Sequence, residues 1–322
     1  VVLTSGAGSS HGAASLGYDA GTNTVAVTFG GLAEGDYTLR LLSGATAFRG
    51  RTGLLLDGDG DGIPGGEFVL HFTVDVGILA FPAPLAAAHP AGSLIHDAES
   101  PGMLAEDDED RFTLDLEAGQ TLTLVLFAED PSLVGRVAVF GPDGGGLGLV
   151  EAPGAGEAAV LRTVQVAGAG VYTLAVQAAQ GSGPYRLRAL VNSDLEMETA
   201  DPDGRRDTSA TAQDIDGSFI LLPGGASRAA VGGGLSARGI GEASDEDWYT
   251  ATLQAGITST FALSRHDPSQ AAALTLEVYS AAGVLLAAGR TDSAILDGYI
   301  ADFTPPADGA FSLRVSGDPA DR

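Results

Sequence analysis

Apolar residues in this chain alternate with polar ones in short stretches, and turn residues interrupt the alternation every few positions. In "TNTVAVTFGGLAEGDYTLRLLSG", Val25, Val27 and Phe29 alternate, then Tyr37, Leu39 and Leu41. A period of two is the signature of a half-buried β-strand, and the "LAEGD" between the two runs reads as a turn. The opening "VVLTSG" and the stretch from Phe68 to Val76 read as further strands. So do "LEAGQTLTLVL", "GVYTLAV" and a run from Tyr185 in "PYRLRALV". No stretch shows a sustained 3.6-residue period. The most helix-like, "SQAAALTLEV", runs into a strand at Thr275, Val278 and Tyr279. The expected class is all-β, with three consecutive antiparallel β-sandwich domains.

Two of those domains are repeats. Asp108, Asp110, Phe112, Leu116 and Gly119 match Asp245, Asp247, Tyr249, Leu253 and Gly256, at an offset of 137. "VAVFGPDG" from Val137 matches "LEVYSAAG" from Leu276, and "AGVYTLAV" from Ala169 matches "DGAFSLRV" from Asp308, both at 139. Three blocks in one order at a near-constant offset indicate duplication, and the period suits whole domains rather than a solenoid. The expected boundaries are 1–77, 78–191 after the Pro- and Ala-rich "FPAPLAAAHPAG", and 192–322 after the polar "VNSDLEMETADPDGRRD". The counterpart of the Tyr185 strand would begin beyond Arg322. The last domain is therefore expected to lack its final strand here, with the native protein continuing. The first domain is expected to be N-terminally incomplete.

The 322 residues carry a net charge of −26, and all 16 basic residues are Arg. Such a field repels nucleic-acid phosphates and anionic lipid, so no nucleic-acid partner is expected. It favours cations, and carboxylate oxygen is what Ca²⁺ selects. Cys is absent and Gly numbers 47, a composition expected of a secreted, turn-rich protein in which calcium replaces disulfides. There is no apolar run of about 18 residues, so no membrane insertion by a helix is expected.

The repeated segments resemble bacterial pre-peptidase C-terminal domains, which are similar to the collagen-binding domains of clostridial collagenases. The residues that carry the resemblance are the Asp-x-Asp-aromatic phrase (Asp245, Asp247, Trp248, Tyr249; Asp108, Asp110, Phe112), the "LEAGQTLTLVL" and "LQAGITSTFAL" strands, and "GVYTLAV" before "YRLRAL". In the third segment they include the acidic "LEMETAD". The first segment resembles a bacterial Ig-like domain of large exported proteins. The resemblance implies jelly-roll-like sandwiches, secretion to the cell surface or medium, and no catalysis. It also implies a Ca²⁺ site at Glu196, Glu198, Asp201, Asp245 and Asp247. Ala200 stands where the family usually has Asn, and Asp203 is the nearest replacement. The plainer reading is a solvated acidic linker. The second segment keeps Asp108 and Asp110, but Asp97 and Glu99 have the wrong spacing for a lead-in; there Asp110 is expected to order a turn.

In "DGDGDG", Asp57, Asp59, Asp61 and Gly62 match the first half of an EF-hand-type loop, with the Ile63 carbonyl at its seventh position. Phe68 rather than Glu stands at the twelfth, and strands flank it. A Ca²⁺ loop and a polar Gly-rich hairpin loop both remain open. Gly60, Gly62 and Gly65 spell GxGxxG, but three Asp would repel a pyrophosphate and no helix follows. GxSxG, HExxH and a Cys nucleophile are absent, and without Lys there is neither a P-loop nor a Schiff base. His11, His71, His89, His96 and His266 are scattered. Trp248, aligned with Arg111, is expected to face outward or to cover the acidic turn.

The expected function is a non-catalytic, calcium-stabilised spacer or adhesion region of a large secreted or surface-anchored bacterial protein. Its partners would be further domains of its own chain, and extracellular polysaccharide or protein matrix. The alternative is a substrate-targeting accessory module of a secreted peptidase or other hydrolase.

Overall fold

The computed structural model describes residues 1–322 apart from 7, 33–34, 51–52, 75–76, 82–84, 89, 107, 198–207, 235–245, 266–273, 294 and 318–322. The fold is all-β, as the alternation predicts. Its helical content among the described residues is one 3₁₀ turn, Asp216–Ser218.

The first unit holds β1 (Val2–Ser5), β2 (Ser10–His11), β3 (Ser15–Asp19), β4 (Thr24–Thr28), β5 (Gly35–Leu41) and β6 (Phe68–Val74). Four of these form one sheet in the order β2-β1-β5-β6, and β3 and β4 form a separate ribbon. Leu3 and Tyr37 are buried, and Tyr37 stacks on Phe72 with ring centres 5.7 Å apart. On the ribbon, Leu16 opposes Val27 and Tyr18 opposes Val25, so their side chains share a face.

The second unit is a sandwich. It comprises β7 (Ile78–Ala80), β8 (Ala86–Ala87), β9 (His96–Leu104), β10 (Glu109–Leu116), β11 (Thr121–Ala128), β12 (Val134–Phe140), β13 (Gly146–Glu151), β14 (Ala159–Gln165), β15 (Gly170–Gln180) and β16 (Gly183–Val191). One sheet runs β13-β12-β15-β10-β7 and the other β14-β11-β16-β9-β8. Phe112, Leu114 and Leu116 from the first sheet pack with Leu122, Leu124, Leu126, Tyr185 and Leu187 from the second. These are the alternate residues of each strand, as two facing sheets require.

The third unit comprises β17 (Asp194–Leu195), β18 (Gln213–Asp214), β19 (Ile220–Leu221), β20 (Ser227–Arg228), β21 (Val231–Gly232), β22 (Glu246–Leu253), β23 (Ser259–Leu263), β24 (Leu274–Ser280), β25 (Leu285–Ala288), β26 (Gly298–Phe303) and β27 (Gly309–Gly317). Its larger sheet, β25-β24-β27-β22-β18, repeats the order β13-β12-β15-β10-β7, down to a parallel outer strand. The registers repeat as well: Asp110 opposes Val176, and Asp247 opposes Val315. The β11–β14 pairing shifts between Leu122 and Leu124, and the β23–β26 pairing shifts between Ser259 and Phe261. At the two shifts Thr163 (φ 48°) and Asp302 (φ 56°) take the same left-handed backbone, 139 residues apart. A bulge inherited with its strained residue is a duplication visible in the backbone itself.

Asp110 lies inside β10, not in the turn before it. Asp110, Phe112, Leu114 and Leu116 occupy successive inward positions and are all buried. The Tyr185 hydroxyl, from β16 in the opposite sheet, donates to Asp110 Oδ2 at 2.5 Å. Tyr185 opposes Gly102, where a Cβ would lie 2.3 Å from the Tyr185 ring, so a larger residue there must displace the ring. Tyr185→Phe is expected to destabilise the second unit by about 1–3 kcal/mol in urea unfolding, because it takes a donor from a buried carboxylate. Gly102→Ala should lower the midpoint too, by displacing the same ring.

Candidate functional site

Acidic residues converge at one place among the described residues. Asp57, Asp59 and Asp61 are exposed, and one carboxylate oxygen from each lies within 4.8 Å of the others. The loop closes at its neck, where Gly58 N–H donates to the Gly65 carbonyl at 3.0 Å and Gly65 N–H to the Leu56 carbonyl at 3.1 Å. Inside it, Asp57 Oδ1 accepts from Gly60 N–H at 2.8 Å, Asp57 Oδ2 from Gly62 N–H at 3.0 Å, and Asp61 Oδ1 from Ile63 N–H at 2.8 Å. Gly66 has φ 73°, and a Cβ there would sit 2.5 Å from the Asp59 carboxylate. Backbone N–H groups therefore aim the Asp57 and Asp61 carboxylates, and Asp59 packs over Gly66. Oxygens bound to one Ca²⁺ at about 2.4 Å lie within about 5 Å of each other, so the spacing fits that ion.

Of the third-unit set, two acids fall among the described residues, Glu196 and Asp247. Glu198, Asp201 and Asp245 lie outside the described residues, as do Ala200 and Asp203. Glu196 Oε1 accepts from the Tyr249 hydroxyl at 2.7 Å, and its Oε2 accepts from Gly234 N–H at 2.9 Å. Asp247 is 4% exposed on β22, the counterpart of Asp110. In the second unit, Asp97 and Glu99 face the Arg188 and Arg186 side chains of β16 across the sheet, and Asp108 accepts from Ala105 N–H.

Trp248 does point away from the core, as its alignment with Arg111 implies, but it is only 9% exposed. Its ring lies 5.1 Å from that of Tyr279, and its indole N–H donates to Glu246 at 3.3 Å. Arg314 reaches Glu277 on the same sheet face at 3.1 Å. His71 Nδ1 is 2.9 Å from the Thr38 hydroxyl, while His89 and His266 lie outside the described residues. Among the described residues are an open surface depression of about 400 Å³ lined by Ala138, Phe140 and Gly146–Leu149, and one of about 490 Å³ on the β3–β4 ribbon, lined by Tyr18, Asp19 and Thr22.

Sequence reading missed the constellation at the joint between the second and third units. Asp194 is fully buried and receives the Arg162 guanidinium of β14 in a two-pronged ion pair, with Nε at 2.8 Å from Oδ1. Gln213 Nε2 donates to the same carboxylate at 3.1 Å and to the Leu195 carbonyl at 2.8 Å. Arg162 also reaches the Asp214 carbonyl at 3.0 Å, and Gln165 reaches the Gly217 carbonyl at 2.8 Å. Beside them Asn192 (φ 60°) receives Thr121 N–H and donates to the Leu94 carbonyl. The hydrogen bond to Asp194 is the largest cause holding the Arg162 guanidinium above its usual range, against burial. Gly217 lets the two units approach closely here, because a Cβ would lie 2.7 Å from the Thr163 hydroxyl and force it to shift.

No protein-family model matches the chain, and no curated protein does. The resemblance to pre-peptidase C-terminal domains therefore rests on the residues quoted above. The solved structures that overlap with the chain include two exported or periplasmic proteins. One is PliG of Aeromonas hydrophila, a periplasmic lysozyme inhibitor of g-type lysozyme, 21% identical, covering 36% of this chain and 97% of that chain with a TM-score of 0.26. The other is the PBSX exported protein XepA, 10% identical, covering 69% and 86%, with a TM-score of 0.24. At such TM-scores neither overlap bears on fold, site or function.

Arg162→Ala leaves a carboxylate buried without its guanidinium and is expected to cost about 3–5 kcal/mol in chemical unfolding. A second prediction concerns acid. Burial alone would raise the Asp297 carboxyl, but hydrogen bonds from the Arg265 side chain and backbone N–H outweigh it and hold it below its ordinary 3.8. The stability this gives is present above pH 3.8 and is lost as pH falls through the depressed value. Asp297→Asn should therefore lower the unfolding midpoint at neutral pH and shrink its fall on acidification.

Proposed function

We propose that this chain is a non-catalytic, calcium-stabilised spacer and adhesion region of a large exported bacterial surface protein. The observation that supports it best is the joint: two units whose larger sheets share one strand order, linked through a buried ion pair rather than a loose linker. A fixed joint transmits orientation and force along a chain of domains, which a stalk needs and a free-standing enzyme does not. The acidic composition and the converging Asp57, Asp59 and Asp61 support the calcium part. Calcium that binds the folded state alone would raise its stability by mass action. Pre-peptidase-type repeats behind an Ig-like unit, in a chain without Cys, support the exported part.

The alternative, a module that targets a hydrolase to polysaccharide or fibrous protein, calls for exposed aromatic side chains on a repeat. Trp248 is instead packed against Tyr279, which favours the spacer reading.

Thermal unfolding in millimolar CaCl₂ and in excess EDTA tests the calcium part. The midpoint should rise with calcium. Loss of the rise in Asp59→Ala would assign it to the first unit, and loss in Asp247→Ala to the third. No rise in the parent protein would contradict the reading.

A further inference from the structure

The two repeats present the same sheet face with different chemistry. In the second unit, outward positions of β13, β12, β15 and β10 line up as Leu149, Ala138, Ala175 and Arg111, each opposite the next. The neighbouring row is Gly146, Phe140, Thr173 and Thr113. In the third unit the first of these rows is Ala288, Glu277, Arg314 and Trp248. There Arg314 pairs with Glu277 and Trp248 packs on Tyr279, so the face is closed by its own groups. The sheet order therefore does not require an apolar outer face, yet the second unit has one. Leu149 stands 63% exposed, and Leu147 and Val171 are exposed with it. Ala138 and Ala175 are only 7% and 3% exposed and form a recessed floor between the taller side chains. The depression of about 400 Å³ opens beside Ala138 and Phe140.

We propose that this face binds the same face of a second copy of the chain, in a two-fold dimer. Its shape is self-complementary. Leu149 and the Ala175 recess lie two strands apart, about 10 Å. A two-fold axis along β12 exchanges β13 with β15, and so sets Leu149 of each copy over Ala175 of the other. The sheets then stack face to face, as the two sheets inside the sandwich do. Charge also favours an identical partner. The two rows hold one charged residue, Arg111, which pairs with Glu109, and Arg136 pairs with Glu151 beside them. The patch is thus neutral in a chain of net charge −26. A basic partner would be drawn to the acidic surface elsewhere, whereas two acidic copies approach at least cost across a neutral patch. Three strands of about seven residues present roughly 14 by 23 Å, so two faces bury on the order of 1,000 Å², the low end for a specific interface. The dimer is therefore weak and reversible.

Sedimentation equilibrium of the whole chain, in EDTA so that no cation bridges the acids, tests this. The mean mass should rise reversibly from monomer towards dimer between about 10 and about 500 μM, the range expected of a small interface. Added NaCl should strengthen the association, because it screens the repulsion between acidic copies and leaves the apolar contact intact. Leu149→Arg should raise the dissociation constant by about tenfold or more, since it places an unpaired guanidinium in each half of the contact. Ala288→Arg, the same charge change at the counterpart position of the third unit, should leave the constant unchanged. A monomer throughout that range would overturn the proposal. So would association that weakens with salt, a dimer equally stable in Leu149→Arg, or one weakened equally by Ala288→Arg.

Discussion

The arrangement of the two repeats depends on one buried charge. Asp194 stands at the first strand of the third unit with no exposure to solvent. A lone carboxylate there would cost several kcal/mol, and the pair is tolerable only because the surrounding groups complete it. Arg162 comes from the second unit, while Gln213 and Leu195 N–H come from the third. Separating the units would expose the pair to water, but rotating them within contact would strip Asp194 of donors while it stayed buried. A buried pair of this kind contributes more to orientation than to net stability.

The rest of the joint follows from that constraint. With Asp194 fixed, β17 and the 3₁₀ turn lie against β11 and β14 of the second unit. This explains why the outward-facing Thr121 and Thr123 of β11 are buried. Thr163, in its left-handed conformation at the bulge, then meets Gly217, where a Cβ would press on the Thr163 hydroxyl. The same bulge in the third unit, at Asp302, is not used for a joint among the described residues. Duplication supplied the geometry, and Arg162 with Gln165 adapted one copy of it to carry a neighbour.

The strands were legible because alternation is local. Val25 to Phe29, Tyr37 to Leu41 and Tyr185 to Val191 show their faces within a few residues, and the repeat blocks show theirs at a fixed offset. The sequence around Asp110 reads as a turn, although its spacing of two from Phe112 puts it on the inward face of a strand. A carboxylate at an inward position reads as an error until the donor from the other sheet is known, and Tyr185 is 75 residues away. The joint was illegible for the same reason. Arg162, Asp194 and Gln213 belong to no motif, and only the packing of two domains gathers them. Asp57, Asp59 and Asp61 lie at the other extreme, since two-residue spacing in a glycine-rich loop brings their carboxylates together without help from the rest of the fold.

The most direct test of the account is the spread of distances between the two repeats in solution. The chain has no Cys, so a single cysteine at Asp115 and another at Ala282, both exposed, can carry spin labels without background. Pulsed dipolar spectroscopy should give one narrow distance distribution, and Arg162→Ala should broaden it. A broad distribution in the protein with Arg162 intact would contradict the claim that the buried pair fixes one repeat against the other.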